Sequence, residues 1–191
     1  MLTNSRSLRQ YHELLTASLN TIDPNSIELL ISKLSEIEKS KKRVFLCGNG
    51  GSAATAEHFA VDIGIGSQLR NSGVRTVSLV SNLASITALG NDVGYNSVFS
   101  SQIALEAEPE DVLIIFSASG NSENLLEALS QARKMGLFCI GFLGFDGGKL
   151  LNKVDLALHV RTDQGEYGIV EDIHLSICHY VTERVRGNSN S

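Results

Sequence analysis

Five short apolar runs with almost no polar interruption set the strongest limit on how this chain can fold. They occupy residues 44–47, 76–80, 112–116, 138–142 and 154–160, and the stretches between them carry helical periodicity. A strand with one wet face alternates apolar and polar residues. Runs without alternation are strands covered on both faces, the mark of a parallel sheet with crossover helices. Before them, residues 7–39 read as two helices. Tyr11, Leu14 and Leu15 recur at helical spacing, and Ile27, Leu29, Leu30, Ile31, Leu34 and Ile37 form a stripe after the start signal Asp23-Pro24. A closing helix is predicted from about 169 to 185. The fold class is therefore α/β: a doubly wound five-stranded parallel sheet flanked by helices. The 191 residues contain no linker or repeat. One domain is expected over 1–191, with an N-terminal helical arm over 1–40 and a flexible tail over 187–191.

Charge narrows the function. A formal net charge of −5 argues against nucleic acid as a partner, because a binder needs a basic face to neutralise phosphates. A small anion is not excluded, since backbone amides bind phosphate locally. No apolar stretch reaches about 18 residues and the first residues show no signal pattern, so a cytoplasmic protein without a membrane partner is expected. Cys47 and Cys139 lie inside apolar runs, and with Cys178 they show no metal-type spacing; they read as buried hydrophobes.

Two of the strand–loop–helix units suit an anion. Gly48-Asn49-Gly50-Gly51-Ser52 follows the first run and opens a helix. Glycine allows a sharp turn and a close approach, and the helix start presents free N–H groups and partial positive charge. Ser117-Ala118-Ser119-Gly120-Asn121-Ser122 repeats the arrangement after the third run, with Ser122 placed to cap the next helix. In open parallel sheets ligands sit at the carboxyl ends of strands, where both loops lie. Gly48, Gly50 and Ala53 also satisfy a dinucleotide fingerprint. That reading needs an acid at the end of the next strand, and residues 78–82 read Ser-Leu-Val-Ser-Asn.

His58 and Asp62 are four apart in the helix opened by the first loop and share one face. The closing helix carries Glu171, Asp172, His174 and His179. Glu171 and His179 are eight apart, about 12 Å of rise and about 80° of rotation, too far to meet at one ion from a regular helix without leaning together or crossing a subunit boundary. Asp172 and His179, seven apart, are a rival pair. His12 and His159 are expected to be structural.

Taken in order, CGNGGSAATAEHFAVDI, ALGNDVGYNSVFS, FSASGNSENLLEAL, GFDGGKL and EDIHLSICH resemble the successive motifs of the phosphoheptose isomerases, a subgroup of the SIS (sugar isomerase) fold. The resemblance runs from about residue 25 to 185 and implies a homotetramer with active sites between subunits. It implies that Asn49, Gly50, Gly51, Ser52, Ser117, Ala118, Ser119 and Ser122 hold the phosphate of a sugar, with Asn91 and Asp92 on its hydroxyls. Asp62 and His179 match the acid/base positions, and His58, Asp62, Glu171 and His179 match the positions that hold Zn²⁺, with Glu171 also touching substrate. The activity implied is aldose–ketose isomerisation of a sugar phosphate, sedoheptulose 7-phosphate to a heptose 7-phosphate.

Four positions depart from the family pattern. The catalytic glutamate is Asp62, one methylene shorter, and a glutamine is replaced by Glu171. A Gly-Arg after the acid is absent, so a cation there is either missing or supplied by Arg70, and residues 168–170 lack an Arg-Ile pattern. The shorter acid at 62 and the charged residue at 171 read as a coordinated change that keeps one metal site. An alternative is a non-catalytic SIS protein that binds a sugar phosphate or a protein partner. That reading predicts loss of the acid/base pair, and His58, Asp62 and His179 are all present.

Overall fold

A computed structural model describes residues 6–65 and 73–188. The elements run α1 (Leu8–Leu19), α2 (Pro24–Ser40), β1 (Arg43–Gly48), α3 (Gly51–Ile63), β2 (Arg75–Ser78), α4 (Leu83–Asp92), a 3₁₀ turn (Tyr95–Ser97), α5 (Ser100–Glu106), β3 (Val112–Ser117), α6 (Glu123–Lys134), β4 (Phe138–Leu143), a second 3₁₀ turn (Gly148–Leu150), β5 (Leu156–His159) and α7 (Tyr167–Asn188). The strands form one parallel sheet in the order β2-β1-β3-β4-β5. Each predicted apolar run is one of them. β2 and β5 are shorter than expected, ending at Ser78 and starting at Leu156. These are the sheet's two outer strands, each paired on one side only. Helix α7 reaches Asn188, into the segment expected to be a loose tail; residues 189–191 and Arg70 lie outside the described residues.

Helices cover both faces, which is why the strands carry no polar alternation. Val44, Leu46, Val112, Ile114, Phe116, Ile140, Phe142 and Leu158 point to one face, where they meet α2, α3 and α7. Phe45, Cys47, Leu113, Ile115, Cys139 and Leu143 point to the other, against α5 and α6. Leu30, Ile31, Leu34 and Ile37 of α2 are buried in the first layer, so this part of the expected arm belongs to the sandwich itself. Helix α1 lies across α7, tied by Tyr11 Oη donating to Asp172 (2.7 Å) and by a paired contact of Arg6 with Glu166. The three cysteines are free and buried, as expected. Among the described residues no helix is long and apolar enough to cross a membrane.

The chain switches sides between β1 and β3: it steps outward from β1 to β2, then returns to β1's other edge for β3. A doubly wound sheet opens a crevice at that reversal, above the carboxyl ends. Beneath it Phe116 and Phe142 stack at 4.4 Å, with Phe59 and His174 packed edge-on. His174 is fully enclosed. Its Nε2 lies 3.4 Å from the Leu143 carbonyl, and its Nδ1 has no hydrogen-bond partner among the described residues. Burial, the largest cause, lowers its pKa from 6.5 to about 4.

That shift makes stability pH-dependent with a definite sign. The unfolded chain takes up a proton near pH 6.5 and the folded chain only near pH 4, so stability is full above pH 6.5 and declines as pH falls toward 4. At pH 4.5 the loss from this group is about 2–3 kcal/mol. Urea unfolding of His174→Leu at pH 7.5 and 4.5 checks it: the variant is expected to lack this component of the acid loss.

Candidate active site

The cavity at the switch point, about 140 Å³, is lined by Asn49, Ser52, Phe116, Ser117, Ala118, Ser119, Ser122, Leu125, Tyr167 and Glu171. Seven of these were expected from the sequence. Phe116, Leu125 and Tyr167 were not, because nothing in the local pattern of an apolar or aromatic residue marks it as facing a ligand. The two loops come together because β1 and β3 are neighbours in register, Gly48 beside Phe116.

The way the helices start decides what the cavity can hold. Helices α1, α2 and α4 are capped by the side chains of Ser7, Asp23 and Asn82, each accepting a backbone N–H. The two helices that open on the cavity differ. Gly50 precedes α3 with φ 55° and has no side chain to cap with. Ser122 is the N-cap of α6, as expected, yet its hydroxyl makes no capping bond. The first N–H groups of both helices are thus left for a ligand, with the positive ends of two helix dipoles behind them. Ser117 Oγ accepts from Gly120 N (3.0 Å) and Ser119 Oγ from Asn121 N (3.3 Å), which leaves each hydroxyl proton to donate elsewhere. Among the described residues no lysine or arginine lines the cavity.

A third loop, after β4, supports the serine loop from behind. Gly120 of the serine loop (φ 63°) and Gly148 of the loop after β4 (φ 54°) bring the two so close that a Cβ on Gly120 would overlap the Gly147 carbonyl and one on Gly148 the Ser119 carbonyl. Asn121 locks the pair, donating to Ser119 O (2.9 Å) and accepting from Lys149 N (3.0 Å). His159 Nε2, 3.0 Å from the Phe145 carbonyl, ties down the same loop, so this histidine is structural as expected. His12 is exposed on α1.

Helices α3 and α7 pack side by side and run parallel, because Gly51 meets Glu171 while His58, seven residues on, meets His179, eight residues on. The eight-residue spacing is thereby divided between two levels of one helix pair. At the lower level Glu171 lies over Gly51, where a Cβ would strike its carboxylate. Burial, and then the neighbouring Asp172, raise the Glu171 carboxyl above its ordinary value. At the upper level the two Nε2 atoms of His58 and His179 are 3.0 Å apart, and His58 Nε2 is 3.3 Å from Asp62 Oδ2. One ligand atom from each of these three residues falls within 4.8 Å of the others. Glu171 is not in this group, and the rival Asp172 is engaged by Tyr11. The Cys178 thiol, beside His179, is held well above its usual pKa by burial and then by Asp62, so it stays protonated.

The three-residue group fits a zinc ion. Nitrogen and carboxylate ligands are those zinc takes, and a tetrahedral ion with bonds of about 2.0–2.1 Å holds its ligands about 3.3 Å apart. Asn91 and Asp92 stand outside the cavity at the end of α4, exposed, with Asn91 Nδ2 donating to Asp92 Oδ1 (2.7 Å).

The SIS domain family model matches residues 8–144, more than half of the chain. Phosphoheptose isomerases from Campylobacter concisus and Geobacter sulfurreducens are 36% and 37% identical to it, over 85% and 94% of this chain and 87% and 92% of theirs. The chain belongs to the phosphoheptose isomerase family of SIS domains. It is a sugar-phosphate isomerase. The solved phosphoheptose isomerase of Francisella tularensis superposes with a TM-score of 0.87 at 25% identity, covering 94% of this chain and 96% of that one. That of Neisseria gonorrhoeae superposes at 0.81 and 28%, covering 90% of each. The family's parallel sheet is the one derived above from unalternated apolar runs.

Because Gly120 combines a left-handed backbone with backbone contact, Gly120→Ala is expected to cost about 2 kcal/mol or more. The midpoint of denaturant unfolding measures it; a variant as stable as the parent would mean that the serine loop does not rest on the loop after β4.

Proposed function

We propose that the protein interconverts sedoheptulose 7-phosphate and an aldoheptose 7-phosphate, assisted by Zn²⁺ at His58, Asp62 and His179. One observation carries this reading: a hydroxyl-lined cavity under the uncapped starts of α3 and α6 stands two turns below a His–Asp–His group carried by α3 and α7. Gly51 and His58 are seven residues apart, a rise of about 10 Å along α3. A seven-carbon chain with bonds of about 1.5 Å spans roughly 8 Å when extended, before its phosphate ester is added. A phosphate in the cavity therefore leaves the far end of a heptose near the acid/base group.

In this reading the N–H groups of Gly51 and Ser52 and the hydroxyls of Ser52, Ser117, Ser119 and Ser122 hold the phosphate. Asn91 and Asp92 hold sugar hydroxyls, and Glu171, at the lower level, is a substrate contact. The Asp62 carboxylate takes a proton from C1 while His179 gives one to the C2 oxygen from Nδ1, the ring nitrogen that an ion at its Nε2 would leave free, which leaves an enediol. Asp62 then returns its proton to C2 and His179 takes one from the O1 hydroxyl. The aldose results and both residues are back in their starting states. A bound zinc ion would supply Lewis acidity for the carbonyl oxygen.

A homotetramer with sites between subunits belongs to the same proposal. Helix α4 has no buried residue although it is apolar, and Leu83, Val93 and Tyr95 around it are exposed, as are Val61 and Ile65 by α3. Apolar surface of this extent on the elements that carry Asn91, Asp92 and His58 is what a partner subunit would cover.

Turnover of sedoheptulose 7-phosphate by metal-free and zinc-loaded protein tests the proposal. Zinc-dependent activity is expected, with His179→Ala losing zinc and about 10²–10⁴-fold in rate. Ser119→Ala is expected to weaken substrate binding by about 1–2 kcal/mol. Stoichiometric zinc without turnover would reject this sugar; neither zinc nor turnover would favour a binding protein.

A further inference from the structure

The loop after β1, the serine loop after β3 and the segment 91–95 come from three different crossovers, and one side chain joins them. Asn49 and Asn124 form a reciprocal amide pair: Asn49 Nδ2 donates to Asn124 Oδ1 (3.0 Å) and Asn124 Nδ2 donates to Asn49 Oδ1 (2.9 Å). The same Asn49 Oδ1 accepts a further bond from Tyr95 Oη (2.9 Å). Asn124 is 2% exposed and does not line the cavity, so its amide is committed to Asn49. Asn49 does line it. Tyr95 is 57% exposed, yet its hydroxyl reaches back to the loop, only three residues after Asp92.

We infer that Asn124 and Tyr95 are positioning residues that act through Asn49: Asn124 fixes the two anion-binding loops to each other, and Tyr95 fixes the hydroxyl-binding segment beside them. The inference rests on the sugar-phosphate reading above. A ligand that touches several loops binds more tightly when they need not be ordered at the moment of binding. A buried amide pair is suited to that task, because each member is satisfied only in the assembled arrangement. Polar Asn124 shares the buried face of α6 with Leu125, Ala128, Leu129 and Ala132, where an apolar residue would otherwise pack.

The two roles separate in experiment. Binding of inorganic phosphate is measured by calorimetry for the parent chain, Asn124→Leu and Tyr95→Phe, all checked for native circular dichroism. Asn124→Leu is expected to lose about tenfold in phosphate affinity. Tyr95→Phe is expected to keep phosphate affinity within about twofold while kcat/KM for sedoheptulose 7-phosphate drops about tenfold, mostly through KM. Asn124→Gln, which keeps the amide but moves it by a methylene, stands in if Asn124→Leu does not fold, with the same loss expected. Parent-like phosphate affinity in the folded Asn124 variant, or parent-like kcat/KM in Tyr95→Phe, overturns the inference. Failure of the parent to bind phosphate overturns the phosphate cradle itself, and this inference with it.

Discussion

A sheet whose strands all run the same way forces each connection to cross back over a face. Each crossover helix then starts near the edge where the preceding strand ended. Here α3 and α6 begin beside the carboxyl ends of β1 and β3, the two strands at which the winding reverses. Two helix starts thus converge on one crevice without any residue having been placed for binding. What the local sequence adds is restraint. Glycine before α3 and a serine turned away from its capping bond before α6 leave the N–H groups open, where Ser7, Asp23 and Asn82 close them elsewhere.

The same geometry sets a length. Helices α3 and α7 lie parallel on one face, so contacts between them recur about every two turns, and Gly51 against Glu171 is followed by His58 against His179. The hydroxyl-lined cavity and the His–Asp–His group are separated by a helical rise. The aromatic packing of Phe59, Phe116, Phe142 and His174 holds the two helices on the sheet. Stability and spacing therefore depend on one cluster, which is why the acid sensitivity of His174 matters for the site above it.

How much of this could be read from the chain follows from the range of the interactions. The strands, the two glycine- and serine-rich loops and the His58–Asp62 pair are local patterns, and each one is where the residues put it. Meeting of His58 with His179, 121 residues apart, depends on helix–helix register, which no local pattern reports. Glu171 illustrates the limit. Its grouping with the histidines came from the family resemblance and needed the helix to lean or a subunit boundary to intervene; within one chain the parallel packing sets it one level lower, against Gly51. Asn124 did carry a signal, a polar residue on the apolar face of α6, but its partner lies 75 residues away. Tyr95 carried none, since an exposed aromatic in a polar turn says nothing of its hydroxyl.

The charge balance of the cavity follows from where its positive character comes from. Among the described residues its lining holds one carboxyl, Glu171, and no cation. From that lining an anion is met by dipoles, N–H groups and hydroxyls, whose attraction falls off within a turn of helix. Such a site discriminates by fit: an anionic group must reach both helix starts at once, and the rigidity of the surrounding loops decides how much of that contact is realised. Glu171 adds a second condition. Burial already favours its neutral form, and an anion set beside it pushes in the same direction, so the carboxyl is driven toward the state in which it can donate a hydrogen bond to a ligand oxygen and does not repel it. Partial burial beside Gly51 thus shifts this glutamate in the direction that opposes an anion least, where the same residue extended into water would lack that shift.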